Sequence, residues 1–279
     1  MSSILNNSSA MVALSTLNMV NMKLNETQNR VSTGLQIQSG KDNAAYFAIS
    51  ETMKGDSGMF QSINDGLTST RNSISTARLG AERVADLAEQ FTERVAFAQG
   101  SGVNLADVQT ELDSLVTQIG AAISQSTFNG DDLVSGAAAT VTVVSGVTRA
   151  GGTFAATTVS FDSVNLGAIQ TALDAIDVVT AGGTSQAALQ ATLVTAEGQL
   201  SAAIAAATSL GVSEKTIEGQ QSFLSSLTNT IDSGVSSMVD ADMEAEAARL
   251  QSLQVQQQLA TQSLSIANQA PQNILSLFR

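Results

Sequence analysis

The stretch "INDGLTSTRNSISTARLGAERVADLAEQFTERVAFA" (residues 63–98) decides the fold. Its seam runs Ile63, Leu67, Thr70, Ile74, Ala77, Ala81, Val84, Ala88, Phe91, Val95 and Ala98, with steps that alternate between four and three. An average step of 3.5 keeps one stripe of a helix facing a partner helix over its whole length. At 1.5 Å per residue the stretch predicts a helix about 54 Å long. Gly100 and Gly102 in "QGSGVN" (99–104) then supply stop signals.

Working outward, Leu105, Val108, Leu112, Leu115, Ile119 and Ala122 repeat the spacing in a second helix, which ends near "STFNGDDLVSG" (126–136). Asn129-Gly130 marks a turn there. "TVTVVSGVT" (140–148) and "ATTVSFD" (156–162) alternate Val or Phe with Thr or Ser, and predict a β-hairpin. "NLGAIQTALDAIDVV" (165–179) reads as helix, broken by "TAGGT" (180–184). A long heptad seam returns from Leu189 to Met238, carrying Glu214, Gln221 and Thr228 as polar entries that help fix register.

Weaker seams lie at both ends. The first is Leu14, Leu17, Asn21, Leu24, Gln28, Val31 and Leu35, with Gly34 as stop chemistry. The second runs Val239, Met243, Glu246, Leu250, Leu253, Gln257, Ala260, Leu264 and Ala267. Neither is apolar enough to stand alone, so the terminal helices are expected to pair with each other. The fold class is therefore mainly α: a long antiparallel coiled-coil bundle with its N- and C-terminal helices paired, and a small β-hairpin in the middle, expected at the far tip.

The chain of 279 residues carries a net charge of −13, which disfavours nucleic acid and an anionic membrane surface as partners. It contains no Cys and no His. That removes disulfides, thiolate chemistry, the commonest metal ligand and the commonest general base. No enzyme activity, cofactor, metal or small-molecule substrate is expected. "DADMEAE" (240–246) has carboxylates at a spacing of two, which scatters them around a helix, and is read as a helix start. "FNGDD" (128–132) lacks the remaining ligands of a calcium loop and is read as a turn. The N-terminus shows no basic region before Lys23 and no uninterrupted apolar segment, so no cleaved leader is expected.

The end, "SIANQAPQNILSLFR" (265–279), holds the chain's only proline, Pro271, followed by Ile274, Leu275, Leu277 and Phe278. Burying such side chains gains roughly 1.5–3 kcal/mol each. Ordering the backbone costs about 1–2 kcal/mol per residue, so the tail needs neighbours on several sides. A helix is expected to bend or end at Pro271.

Several blocks together resemble the bacterial flagellins, in particular the short alphaproteobacterial type. At the N-terminal side these are "RVSTGLQIQSGKDNAAYFAIS" (30–50) and "STFNGDDLVSG" (126–136). At the C-terminal side they are "SLGVSEKTIEGQQSFLSSLTNTI" (209–231), "VDADMEAEAARL" (239–250) and "ANQAPQNILSLFR" (267–279). The motif residues carrying the likeness are Gly34, Leu35, Ile37, Lys41, Asp42, Ala44 and Ala45, then Phe128, Asn129 and Gly130, then Asn268, Gln269 and Pro271. Gln36 and Tyr46 depart from the usual Arg and Gly of the family.

The resemblance implies a structural subunit of the extracellular flagellar filament, exported unfolded by the flagellar type III apparatus and polymerised for motility. It implies a helical homopolymer that also meets an export chaperone and export gate, the hook–filament junction and the cap proteins. The alternative is a hook–filament junction protein. By the same resemblance, residues 1–40 and 239–279 form an inner coiled-coil domain, 41–136 and 185–238 a helical rod domain, and 137–184 a variable β-containing outer segment. Contacts between subunits in the inner coiled coil are expected from Leu14, Leu17, Leu24 and Val31, from Leu250, Leu253 and Leu264, and from Ile274, Leu275, Leu277 and Phe278.

Overall fold

The computed structural model describes the backbone of residues 7–150 and 153–277 and the side chains of 7–148 and 155–269. In order these form α1 (Ser8–Thr33), α2 (Ala44–Phe97), α3 (Leu105–Gln125), β1 (Thr140–Ala150), β2 (Thr153–Asp162), α4 (Leu166–Asp174), α5 (Val178–Thr184), α6 (Gln186–Val239) and α7 (Met243–Leu277). The chain divides into two compact units, Met1–Ser57 with Thr230–Arg279, and Gly58–Asn229.

In the unit formed by Gly58–Asn229, α2 and α6 run antiparallel. The α2 seam read from the sequence is its core: Leu67, Ile74, Ala77, Ala81, Val84, Ala88, Phe91, Val95 and Ala98 are all buried. On α6 the buried apolar residues of this unit are Leu189, Ala196, Ala203, Leu210, Ile217 and Leu224, one every seven, and the polar Thr228 is buried after them. The polar entries meet matching groups on α2. Glu214 accepts from Arg78 Nε at 2.7 Å, and Gln221 Nε2 donates to Thr68 Oγ1 at 2.7 Å.

α2 begins at Ala44, well before Ile63. Ser50, Ser57 and Phe60 are buried along this earlier part. They continue the heptad, but serines at two seam positions conceal it in a hydrophobicity pattern.

α3 turns back along α2. Its buried residues are Val108, Leu112, Val116, Ile119 and Ile123. Val116 and Ile123 therefore replace Leu115 and Ala122 of the expected seam. A straight α-helix drifts by about 20° per heptad against a 3.5 repeat, and α3 follows its own 3.6. At 128–131 the expected turn forms: Asn129 and Gly130 have φ of 51° and 87°, the positive pair of a type I′ turn. Phe128 and Asp131 exchange both backbone hydrogen bonds across it.

The hairpin forms as read, β1 antiparallel to β2 with a bulge between Val144 and Gly146. Its position differs from the expected tip. Gln220 Nε2 on α6 donates to the Ser145 carbonyl at 2.8 Å, so the hairpin lies beside α6. The end of this unit is instead where Gln99 Nε2 reaches the Leu189 carbonyl.

The break in the 165–184 segment also moves. α4 stops at Asp174, and "AGGT" lies inside α5. Gln109 of α3 enters the gap, donating to the Ile176 carbonyl at 3.2 Å and accepting from Val178 N at 3.0 Å. Asp177 then caps α5 through Val179 N and Thr180 N. A Cβ at Gly182 would strike Leu105 Cδ1, so a larger residue there makes that side chain shift.

In the other unit, α1 and α7 pair antiparallel, as the two weak terminal seams predict. Gln257 Nε2 donates to Asn21 Oδ1 at 2.8 Å, and Glu246 lies 3.8 Å from Arg30. Among the described residues no helix is long and apolar enough to cross a membrane.

Candidate assembly surface

Two chain reversals lie side by side in this unit. α1 closes on Gly34, whose φ of 73° lets its N–H reach the Arg30 carbonyl at 2.8 Å. The next residues meet the α6–α7 junction through one isolated bridge: Leu35 bridges Asp240, and Gln36 N donates to the Val239 carbonyl at 2.7 Å. Gly34 accepts in turn from Ala241 N at 2.8 Å. Gln36 thus acts here through its backbone, whatever its side chain.

The motif residues that follow build a cap. Asp42 accepts from Gln38 N at 3.1 Å, Ser39 N at 3.0 Å and Ser39 Oγ at 3.1 Å. The Gln38 N–H, then the Ser39 hydroxyl and the Ser39 N–H, hold its carboxyl below the usual carboxylate range. Asn43 starts α2, its Oδ1 accepting from Ala45 N at 3.1 Å and Tyr46 N at 3.3 Å. Lys41, Ala44 and Ala45 are exposed, and Ile37 is half-buried. The role of Asn43 was missed in the sequence, although an Asn directly before a helix is the signal for it.

At the α6–α7 junction, Asp242 is the cap, accepting from Glu244 N at 3.0 Å and Ala245 N at 3.1 Å. "DADMEAE" is therefore the helix start that its spacing suggested. Glu246 is buried and lies 3.6 Å from Arg249, and its Oε1 has no hydrogen-bond partner.

Of the expected interface residues, Leu17, Leu24 and Val31 are half-buried, as are Leu250 and Leu264, and Leu253 is buried. These side chains are covered within the α1–α7 pair itself. Leu14 is 48% exposed, because the α1 seam passes through Ala13, Leu17, Val20, Leu24, Thr27 and Val31. The side chains of Pro271, Ile274, Leu275, Leu277 and Phe278 lie outside the described residues. Asn268 and Gln269 are exposed. The helix does not end at Pro271, since α7 extends to Leu277.

Sequence reasoning missed the outward face. Met11, Val12, Met19 and Met22 on α1 are 48–67% exposed, and so are Val255, Leu259 and Ile266 on α7, at 55–69%. Val255, Leu259 and Ile266 follow steps of four and seven, which makes one stripe. Between the helices an apolar groove of about 470 Å³ is lined by Val12, Ala13, Val20, Leu259, Ala260 and Ala267 among others. Exposed apolar area of this kind marks an association surface.

Comparison with known proteins fits both halves. Residues 4–139 match the bacterial flagellin N-terminal helical region, and residues 193–278 match the bacterial flagellin C-terminal helical region. The chain belongs to the bacterial flagellin family. A flagellin of Brucella melitensis is 36% identical with all of both chains covered. Flagellin FljM of Caulobacter vibrioides is 35% identical, covering 100% of this chain and 99% of that one. A solved structure of a flagellar hook-associated protein from Vibrio parahaemolyticus aligns with a TM-score of 0.49 at 16% identity, over 68% of this chain and 94% of that one. Flagellins are a structural protein family, and the helix-rich fold suits a filament subunit.

Proposed function

We infer that this chain is a structural subunit of the extracellular bacterial flagellar filament, a helical homopolymer that serves motility. The observation that carries the reading is the α1–α7 pair, which covers one seam and still leaves Met11, Val12, Met19, Val255, Leu259 and Ile266 in solvent. A second copy of the same pair offers the same apolar stripe, and a closed ring of copies covers every stripe. In this reading residues 1–40 and 239–279 form the inner coiled coil, 41–136 and 185–238 the rod, and 137–184 the outer segment. Leu14 contributes from its exposed position, and Ile274, Leu275, Leu277 and Phe278 extend the contact at the tail.

The chain acts without catalysis, cofactor or small-molecule substrate. It travels unfolded through the flagellar type III export gate, accompanied by an export chaperone. Its assembly partners are its own copies, the hook–filament junction and the cap proteins. The matches to flagellin at both ends and over full length favour the filament over the junction.

The test is polymerisation of purified protein on short filament seeds, followed by electron microscopy. Filaments are expected from the full chain. Removal of 265–279 is expected to abolish them while α2, α3 and α6 stay helical by circular dichroism. A full chain that stays monomeric at every concentration, with a protease-resistant N-terminus, overturns the reading.

A further inference from the structure

In an α-helix each carbonyl accepts from the N–H four residues later. For Ala267 that residue is Pro271, which has no N–H. α7 nonetheless runs on to Leu277. The Ala267 carbonyl accepts from another source, the side-chain Nδ2 of Asn7 at 2.7 Å.

The other end of the same amide is also used. Asn7 Oδ1 accepts from Ala10 N at 3.1 Å and caps α1. A backbone N–H at one end and a backbone carbonyl at the other leave the amide only one orientation that satisfies both. Both residues are half-buried, so neither bond is freely exchanged for water.

We propose that Asn7 is the positioning residue that sets the register of α1 against α7, and that Pro271 creates the acceptor it recognises. Pro271 is the chain's only proline. Ala267 is therefore the only carbonyl inside a helix that a proline releases from its regular partner. A slip of α1 by one turn moves Asn7 about 5.4 Å along the axis, where every carbonyl of the helix body already holds its own N–H. The wrong register thus leaves the half-buried Ala267 carbonyl without its protein donor, at part of the cost of a fully buried unsatisfied acceptor. Asn meets both requirements at this position. Asp keeps the cap but turns a carboxylate toward a carbonyl, and Ser keeps the cap but is too short to reach α7.

The proposal rests on the reading of the α1–α7 pair as the core of assembly, and two measurements separate them. The first is the monomer concentration in equilibrium with seeded filaments. Asn7→Asp and Asn7→Ser, which both retain a capping oxygen, are expected to raise it by roughly two- to tenfold. Pro271→Ala restores an N–H for Ala267, so in that background Asn7→Ser is expected to raise it by less than about twofold.

The second is amide exchange over 8–20, read by mass spectrometry in filaments, or in the monomer if none form. It is expected to quicken in Asn7→Ser only while Pro271 is present. An unchanged critical concentration and exchange in both Asn7 variants overturns the proposal, as does an equal effect with and without Pro271, or an unprotected α1 in the wild type. Coupled exchange in a protein that never polymerises supports the register set by Asn7 and Pro271 and overturns the filament reading alone.

Discussion

Arg78 and Glu214, from the two long helices of the Gly58–Asn229 unit, meet at 2.7 Å through Nε and Oε2. Arg78 also pairs with Glu82 on its own helix, and the two carboxylates, Glu214 first, hold the guanidinium's pKa above its usual value. Their side chains are 28% and 26% exposed, so solvent screens the pair only in part. A double-mutant cycle of Arg78→Ala and Glu214→Ala, measured by urea unfolding, is expected to give a coupling of about 1 kcal/mol. The coupling should fall toward zero in 1 M salt. A value indistinguishable from zero at low salt would show that the pair marks register without stabilising it.

Two glycines of α2 are predicted to respond oppositely to alanine. A Cβ at Gly80 would strike the Ser126 side chain where α3 ends against α2. Gly80→Ala is expected to destabilise by roughly 1–3 kcal/mol through overpacking. Gly66 is exposed and a Cβ there meets nothing within 4 Å. Gly66→Ala is expected to stabilise by about 0.5–1 kcal/mol through helix propensity. Thermal melts of the two variants should shift in opposite directions.

Acid should loosen the short turns before the helices. The Ser135 hydroxyl, the Ser135 N–H and the Val134 N–H lower the pKa of Asp132. The Thr180 hydroxyl and N–H, with Val179 N–H, lower that of Asp177. Each folded value lies below that of the unfolded chain, so the contribution is complete above about pH 4 and disappears as pH falls through the folded value. Amide protection at Val134, Ser135, Val179 and Thr180 is expected to fall in that window. Protection that stays flat to pH 2 would contradict it.

Glu246 is predicted to weaken the α1–α7 pair. Its carboxylate is nine-tenths buried, and its Oε1 accepts no hydrogen bond and meets Arg30 only at 3.8 Å, while Arg30 keeps Glu26 at 2.6 Å. Glu246→Leu removes an incompletely repaid desolvation cost and is expected to stabilise the pair by about 1 kcal/mol or more. Slower proteolysis of residues 8–33 in the variant would register this. Faster proteolysis would mean that the Arg30 contact outweighs the burial.

Most helices were legible because their seams are apolar and regular. Leu189 to Leu224 returns every seven residues, and no other element type produces that period. The earlier half of α2 was hidden because Ser50 and Ser57 occupy its seam, and Ser57 is buried by a 2.7 Å hydrogen bond to Asp232, which no pattern reveals. On α1, following the large Leu14 led one position away from the small Ala13 that the neighbouring Ala260 allows. The break after α4 depends on Gln109, which comes from another helix. Distance in sequence also concealed the bond from Asn7 to Ala267. For the assembly surface, spacing located the face that α1 and α7 turn toward each other. The outward face emerged only once that pairing was known.

The seven-residue return along α6 has a mechanical meaning. A straight helix cannot hold such a stripe against a partner from Leu189 to Leu224, so the pair must wind around each other left-handed. Two wound strands behave as a ply cord: pulling along the axis turns them, and turning them changes their length. A load along this pair is thus expected to be carried as twist of that hand, a stiffness that follows from the period at which leucine, alanine and isoleucine recur.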